Sequence, residues 1–316
     1  MELNCVVGDV SGVAHPLGIV WHTAPGTGSA TSVAAEPAKS PLVRLPDVRD
    51  PAQSFAEVWT TGRPVVVGEF DEVAYGHEGE YAFCAVQVPP AARYASAVRD
   101  AYLSALYAMA DLGYPHVFRI WNSVSRINDP NQDGLEIYQD FCRGRAEAFD
   151  VSPVRLAALP AGTEVGGHGD GVIIYLLARS TAPHLAIENP QQIPAYRYPE
   201  QYGPRPPSFA RAARDGDRLY VSGTAAILGH ETVHRGDVVA QCQTVFGNLA
   251  ALLSSQGAAL SALRTIKVYV RHESDLATVK DECRQQFASD AQIAYLVVDL
   301  CRSDLLVEIE AVGNLQ

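Results

Sequence analysis

The stretch GHETVHRG at 229–236 sets His230, Glu231 and His234 in the spacing H-E-x-x-H. On a helix, that spacing puts two imidazoles one turn apart on one face, where they ligate zinc while the Glu acts as base. Here the motif lies between Gly229 and Gly236, contains the β-branched Thr232 and Val233, and follows a strand-like run, which is strand and loop context. Its polar groups are then expected to organise a site or its backbone. A second stretch, GGHGDG (166–171), offers His168 and Asp170, yet four Gly in six residues mark a tight turn or a close approach of backbone. Neither stretch predicts a metal site.

Carboxylates and a thiol cluster near the C-terminus. In LLVEIEAVG (305–313) period-two alternation places Glu308 and Glu310 on one strand face and Val307, Ile309 and Ala311 on the other. Spacing alone is satisfied by a solvent-facing strand bearing two ordinary carboxylates. Cys301 stands seven residues before Glu308, at the end of the preceding strand, and CRSD reads as a hairpin that would set the two strands side by side. A buried small thiol is the commoner fate of a Cys.

Anionic ligands would need Arg, whose planar fork pairs bidentately with a carboxylate. Candidates are Arg145 in CRGR, Arg197, Arg205 and Arg211, with Tyr138, Tyr196 and Tyr202 as phenolic donors. Ser222, Gly223 and Thr224, at a strand end beside Ala225 and Ala226, could present backbone N–H groups to negative charge.

The elements that must position these residues form a unit written twice. The first copy runs YAFCAVQV (81–88), VRDAYLSALYAMADLG (98–113), HVFRIWNSV (116–124) and EIYQDFCRGRAEAF (136–149), a β-α-β-α order. The second runs RLYVSGTAAI (218–227), VVAQCQTVFGNLAALLSSQG (238–257), LRTIKVYVRH (263–272) and LATVKDECRQQFA (276–288). Phe141-Cys142-Arg143 and Glu282-Cys283-Arg284 occupy the same place in the second helix of each copy. Strand-like runs follow: VRLAAL (154–159) and GVIIYLLA (171–178) in the first, AYLVVDL (294–300) and LLVEIEAVG in the second. Two sheets with helices on one face are expected, an α+β class.

Between the copies lies ENPQQIPAYRYPEQYGPRPPSF (188–209), whose six Pro exclude helix interior and central strand, so it reads as an ordered connector or a lid. The stretch APGTGSATSVAAEPAKS (24–40) has no period and reads as an exposed loop. Domains of 1–187 and 188–316 follow, the second beginning with the connector.

Bulk properties bound the partners. With 316 residues, 47% hydrophobic and 19% charged, the chain is a globular protein with a sizeable core. A net charge of −12 and no basic run argue against nucleic acid. No run of 18 apolar residues occurs, MELNCVVGDV has no export pattern, and the six Cys are scattered; a cytoplasmic setting without membrane contact is expected.

The second copy resembles the YjgF/RidA family, whose fold is chorismate-mutase-like, through LYVSGTA, IKVYV and VEIEAVG over about 215–316. Simple members of that family use an Arg just before the penultimate strand, where Ile293 stands here, so their imine chemistry is not implied. The whole chain resembles the chorismatases through YQDFCRGRAEAF (138–149), GTEVGGHGDG (162–171), the connector as far as 212, SGTAAILGHETVHRGD (222–237) and VEIEAVG (307–313). That resemblance implies two related YjgF/RidA-like domains and cleavage of chorismate to pyruvate and a cyclic acid, without metal or organic cofactor. It implies Glu308 as general acid, since cleaving an enol ether requires protonating its methylene carbon. It also implies Cys301 as the marker of the 3-hydroxybenzoate-forming subtype, and favours Arg145, Tyr196 and Arg205 for the substrate. At Ala225 or Ala226 that subtype tends to have a smaller residue, so hydrolysis to a dihydroxycyclohexadiene carboxylate stays open, as does a non-catalytic module that binds small acids. YjgF domains usually form trimers, whereas a chain with two copies can meet some of those contacts internally; monomer or trimer are both expected.

Overall fold

A computed structural model describes residues 3–8, 12–24, 41–48, 53–152, 156 and 158–315, and 32–35 as backbone. Among these residues, three large sheets and four long helices make up the α+β fold.

The middle sheet is built from β6 (Val66–Phe70), β7 (Val73–His77), β8 (Tyr81–Val88), α1 (Ala95–Asp111), β9 (His116–Ser125), α2 (Ile137–Val151), β10 (Ala161–Gly167) and β11 (Val172–Arg179). The third contains β12 (Leu185–Ile187), β13 (Ala212–Asp215), β14 (Arg218–Ala225), α3 (Val238–Ser254), β17 (Leu263–Val270), α4 (Leu276–Gln286), β18 (Gln292–Val297) and β19 (Val307–Asn314). The small hairpin of β15 (Ile227–Leu228) and β16 (Glu231–Thr232) is inserted after β14.

Strand order demonstrates the duplication. It is β6-β7-β8-β11-β9-β10 in one sheet and β12-β13-β14-β19-β17-β18 in the other, position for position. In each, the last strand of the unit pairs antiparallel with both the first helix-flanking strand and the next, and the pair at the end of the order, β9–β10 or β17–β18, is parallel. The helices follow their apolar stripes: α1 buries Val98, Tyr102, Ala105, Leu106 and Met109 against the middle sheet. Asp237 caps α3 by accepting from Ala240 N at 3.0 Å.

The expected irregular lead-in is corrected. Residues 1–187 hold a further five-stranded sheet, β1 (Asn4–Gly8), β2 (Pro16–His22), β3 (Ser32–Ala35), β4 (Pro41–Leu45) and β5 (Phe55–Thr60), ordered β1-β5-β2-β4-β3. Thus 32–35, read as loop, is a strand paired with β4, while 25–31 and 36–40 lie outside the described residues. Of VRLAAL, 154, 155 and 157 lie outside the described residues, and the strand that follows α2 is β10. β12 already belongs to the third sheet, so that unit takes in residues from 185.

The inner faces of the three sheets meet in one core of Leu17, Val20, Trp59, Phe83, Phe118, Trp121, Tyr175, Tyr220 and Val312. Through it runs a buried ionic chain. Lys267 Nζ lies 2.6 Å from Glu57 and 2.8 Å from Glu310; Arg119 donates to Glu310 at 2.7 Å, and His22 meets Asp47 at 2.8 Å. Each charge has a partner of opposite sign, the condition under which ions persist in a low-dielectric interior. The solvent-facing reading of Glu308 and Glu310 is therefore overturned: alternation put them on one face, but that face looks into the protein, and both are 3% exposed. No helix among the described residues is long and apolar enough to cross a membrane.

Candidate active site

β10 of the middle sheet runs against β14 of the third, and along this seam opens a cavity of about 250 Å³. Its walls are Glu164 from β10, Tyr138 and Gln139 from α2, Gly223 and Ala225 from β14, and Glu308 from β19. The connector contributes Tyr198, Tyr202 and Phe209, and the segment between β18 and β19 contributes Cys301, Arg302, Ser303 and Asp304.

Glu308 lies between Ala225 on β14 and Tyr269 on β17. The β14–β19 ladder slips a register between Val221 and Thr224, a bulge that turns the backbone locally. There Gly223 N donates to Thr163 Oγ1 at 3.0 Å and Ser222 Oγ donates to Ala210 O at 2.6 Å. A Cβ on Gly223 would collide with Glu308 Oε1, so the glycine makes the seat of the carboxyl group. Burial, with Glu164 and Glu310 as negative neighbours, raises the Glu308 pKa to about 8. The carboxyl is thus an acid holding its proton at neutral pH.

Glu310, two residues on, behaves oppositely. Burial would raise it, but Lys267 and Arg119 outweigh that and hold it below the ordinary carboxylate range. One strand face therefore presents a neutral acid and a fixed anion.

Cys301 Sγ lies 4.0 Å from Glu308 Oε2. Burial, then the Glu308 charge, pushes the thiol pKa well up, so the sulfur stays protonated. The hairpin expected from CRSD is absent: β17 lies between β18 and β19, and the Cys reaches Glu308 from an irregular segment that crosses over it.

Among the described residues, two cations line the cavity, Arg211 and Arg302. Arg211 donates from Nη2 to Tyr198 Oη at 2.6 Å and to Ile193 O at 3.1 Å. Arg302 stacks 3.9 Å above the Tyr202 ring and donates from Nη1 to His230 O at 2.9 Å and Thr232 Oγ1 at 3.3 Å. Tyr202 Oη is in turn 3.1 Å from His230 Nδ1. The H-E-x-x-H string is a hairpin, with Glu231 in β16 and His234 at φ 54°, so its imidazoles share no helix face. Its work is to hold Arg302 and Tyr202.

Other proposed binding residues are placed differently. Arg145 is buried under the site, ion-paired with Glu164, and does not itself line the cavity. Arg205 pairs with Asp150 at 2.6 Å on the surface, and Tyr196, 36% exposed, stands beside Arg197; neither lines the cavity. Thr224 is buried with its hydroxyl on Ser222 O, and the Gly223 N–H is already used by Thr163. His168 Nε2 lies 2.8 Å from Val297 O, against β18. Among the described residues no three His, Cys, Asp or Glu side chains converge as a metal site.

Sequence reasoning missed Glu164, Arg302, Tyr198 and Phe209. The first two were within reach: Glu164 sits in GTEVGG and Arg302 adjoins Cys301.

Comparison with known proteins finds relatives along most of the chain. Residues 57–178 match the family model "Chorismatase FkbO/Hyg5-like, N-terminal", and 205–314 match "Endoribonuclease L-PSP". A 3-hydroxybenzoate synthase of Streptomyces hygroscopicus is 49% identical over 86% of this chain and 85% of its own. A chorismatase of Streptomyces rapamycinicus is 41% identical over 96% and 94%. A chorismatase crystal structure superposes with a TM-score of 0.93 at 37% identity, covering 99% of this chain and 98% of the other. With one fold along its whole length and an acid and thiol meeting at the seam of its two repeated units, the chain belongs to the chorismatase family.

Proposed function

We propose that the protein converts chorismate to 3-hydroxybenzoate and pyruvate. The observation that carries this reading is the neutral acid of Glu308 beside the neutral thiol of Cys301, 4.0 Å away, in a cavity lined by Arg211 and Arg302.

Chorismate carries two carboxylates, and the two guanidiniums supply matching charge. Glu308 gives its proton to the enolpyruvyl methylene, which becomes the methyl of pyruvate. The neighbouring 4-hydroxyl displaces the ether oxygen at C3, forming a three-membered cyclic ether, and its proton returns to the Glu308 carboxylate. When that ring opens at C4, the oxygen gains a proton and C3 loses one, which restores aromaticity. The Cys301 thiol is positioned to donate to the opening oxygen. Substrate atoms equal product atoms, so no water is consumed.

A protonated thiol is suited to this role, since a thiolate would compete as a nucleophile for the activated carbon. The cavity walls come from both repeated units of the chain. Incubating the purified protein with chorismate and identifying products by chromatography and mass tests it; pyruvate with 3-hydroxybenzoate is expected, and bound but unconverted chorismate would refute it.

A further inference from the structure

Residues 298–306 carry four cavity-lining side chains, Cys301 to Asp304, with no helix or ladder strand of their own. Their shape has to come from elsewhere. Arg271, the first residue after β17, supplies it. Its Nε donates to Leu305 O at 2.7 Å, and Nη2 donates to Leu300 O at 3.0 Å and Arg302 O at 2.8 Å. Nη1 donates to Asp299 Oδ1 at 2.7 Å and Asn128 Oδ1 at 3.2 Å. These bonds use all five donor hydrogens of a guanidinium.

The acceptors include carbonyls on both sides of Cys301. Other bonds hold the ends of the segment: Gly166 N donates to Asp299 O at 2.7 Å, and Gln241 donates to Asp304 O at 2.9 Å. Asn128 carries the connection across the cavity, donating from Nδ2 to Glu136 Oε1 at 3.0 Å, while Gln139 donates to Glu136 Oε2 at 3.3 Å. Arg271 therefore ties the thiol-bearing segment to the opposite wall without itself lining the cavity.

We infer that Arg271 is a positioning residue whose five bonds set the distance between Cys301 and Glu308, and so decide how much product forms by internal displacement rather than by water. This rests on the reaction proposed above. Lys at this position keeps the charge beside Asp299 but has three donors at one point and cannot span the carbonyls.

The test compares Arg271→Lys with wild type in product ratio, kcat, KM and the rate at which iodoacetamide alkylates Cys301, read by peptide mass. Expected are about a tenfold loss in kcat for 3-hydroxybenzoate with little change in KM, a larger share of the water-derived diene acid, and faster alkylation. A folded variant with the wild-type product ratio and alkylation rate overturns the role. Should Arg271→Lys not fold, Asn128→Ala, which removes one of the five bonds and the link to Glu136, is read the same way, and wild-type behaviour there overturns it. If wild type releases no pyruvate, the proposed reaction fails while the alkylation rates still decide the role of Arg271.

Discussion

The Cys301 sulfur and the Glu308 carboxyl stand 4.0 Å apart, and burial keeps both protonated. Their jobs are separable, because protonating the methylene needs only the acid. Cys301→Ala should keep pyruvate release within about tenfold while shifting the ring product from 3-hydroxybenzoate toward the diene diol acid. Chromatography of the products with a pyruvate assay checks this. An unchanged product ratio would remove the thiol from the mechanism.

Activity should depend on pH through Glu308. With its pKa near 8, the acid is present below that pH and lost above it, so kcat should fall on the alkaline side of about 8. The Cys301 thiol, raised well above its ordinary value, remains protonated through that fall. Glu308→Gln should cost about 10²–10⁴-fold in rate and abolish the alkaline limb. A limb surviving in the Gln variant would assign it to another group.

The same acid costs stability. The raised pKa means that the folded chain holds a proton the unfolded chain releases. That contribution is complete below 4.5 and is lost as pH rises to about 8. Glu308→Gln carries no such linkage, so it should be more stable than wild type by up to roughly 3 kcal/mol at neutral pH, the gap closing toward pH about 4.5. Thermal melts of both proteins across that range decide it.

Much of this was legible before the structure. Period-two and helical patterns located both repeats, and their identical strand orders reflect those patterns. Alternation also put Glu308 and Glu310 on one face, but it does not say what that face looks at; the covering sheet comes from 3–60, where short strands are separated by irregular stretches without period. The cations were hardest. An Arg in a sequence carries no sign of its partner, so Arg205, held by Asp150 on the surface, and Arg302, held by the hairpin at 227–232, looked alike. The H-E-x-x-H segment, whose loop context pointed to organising a site rather than to zinc, holds Arg302 through His230 O and Thr232 Oγ1 and meets Tyr202 through His230.

Gly223 is constrained by contact more than by backbone angle. Gly223→Ala would drive a methyl group into Glu308 Oε1, displacing the acid and costing about 1–3 kcal/mol from overpacking. Turnover should fall at least about tenfold in a protein that still melts cooperatively. Wild-type kcat in this variant would show that the carboxyl is not seated as described.

Turnover of chorismate in heavy-oxygen water, with pyruvate trapped as it forms by reduction to lactate, is the most direct measurement. Internal displacement leaves both products unlabelled, with 3-hydroxybenzoate as the ring acid. Solvent oxygen in the trapped lactate, or in a dihydroxycyclohexadiene carboxylate, would show that water is the nucleophile and would contradict the joint role of Glu308 and Cys301.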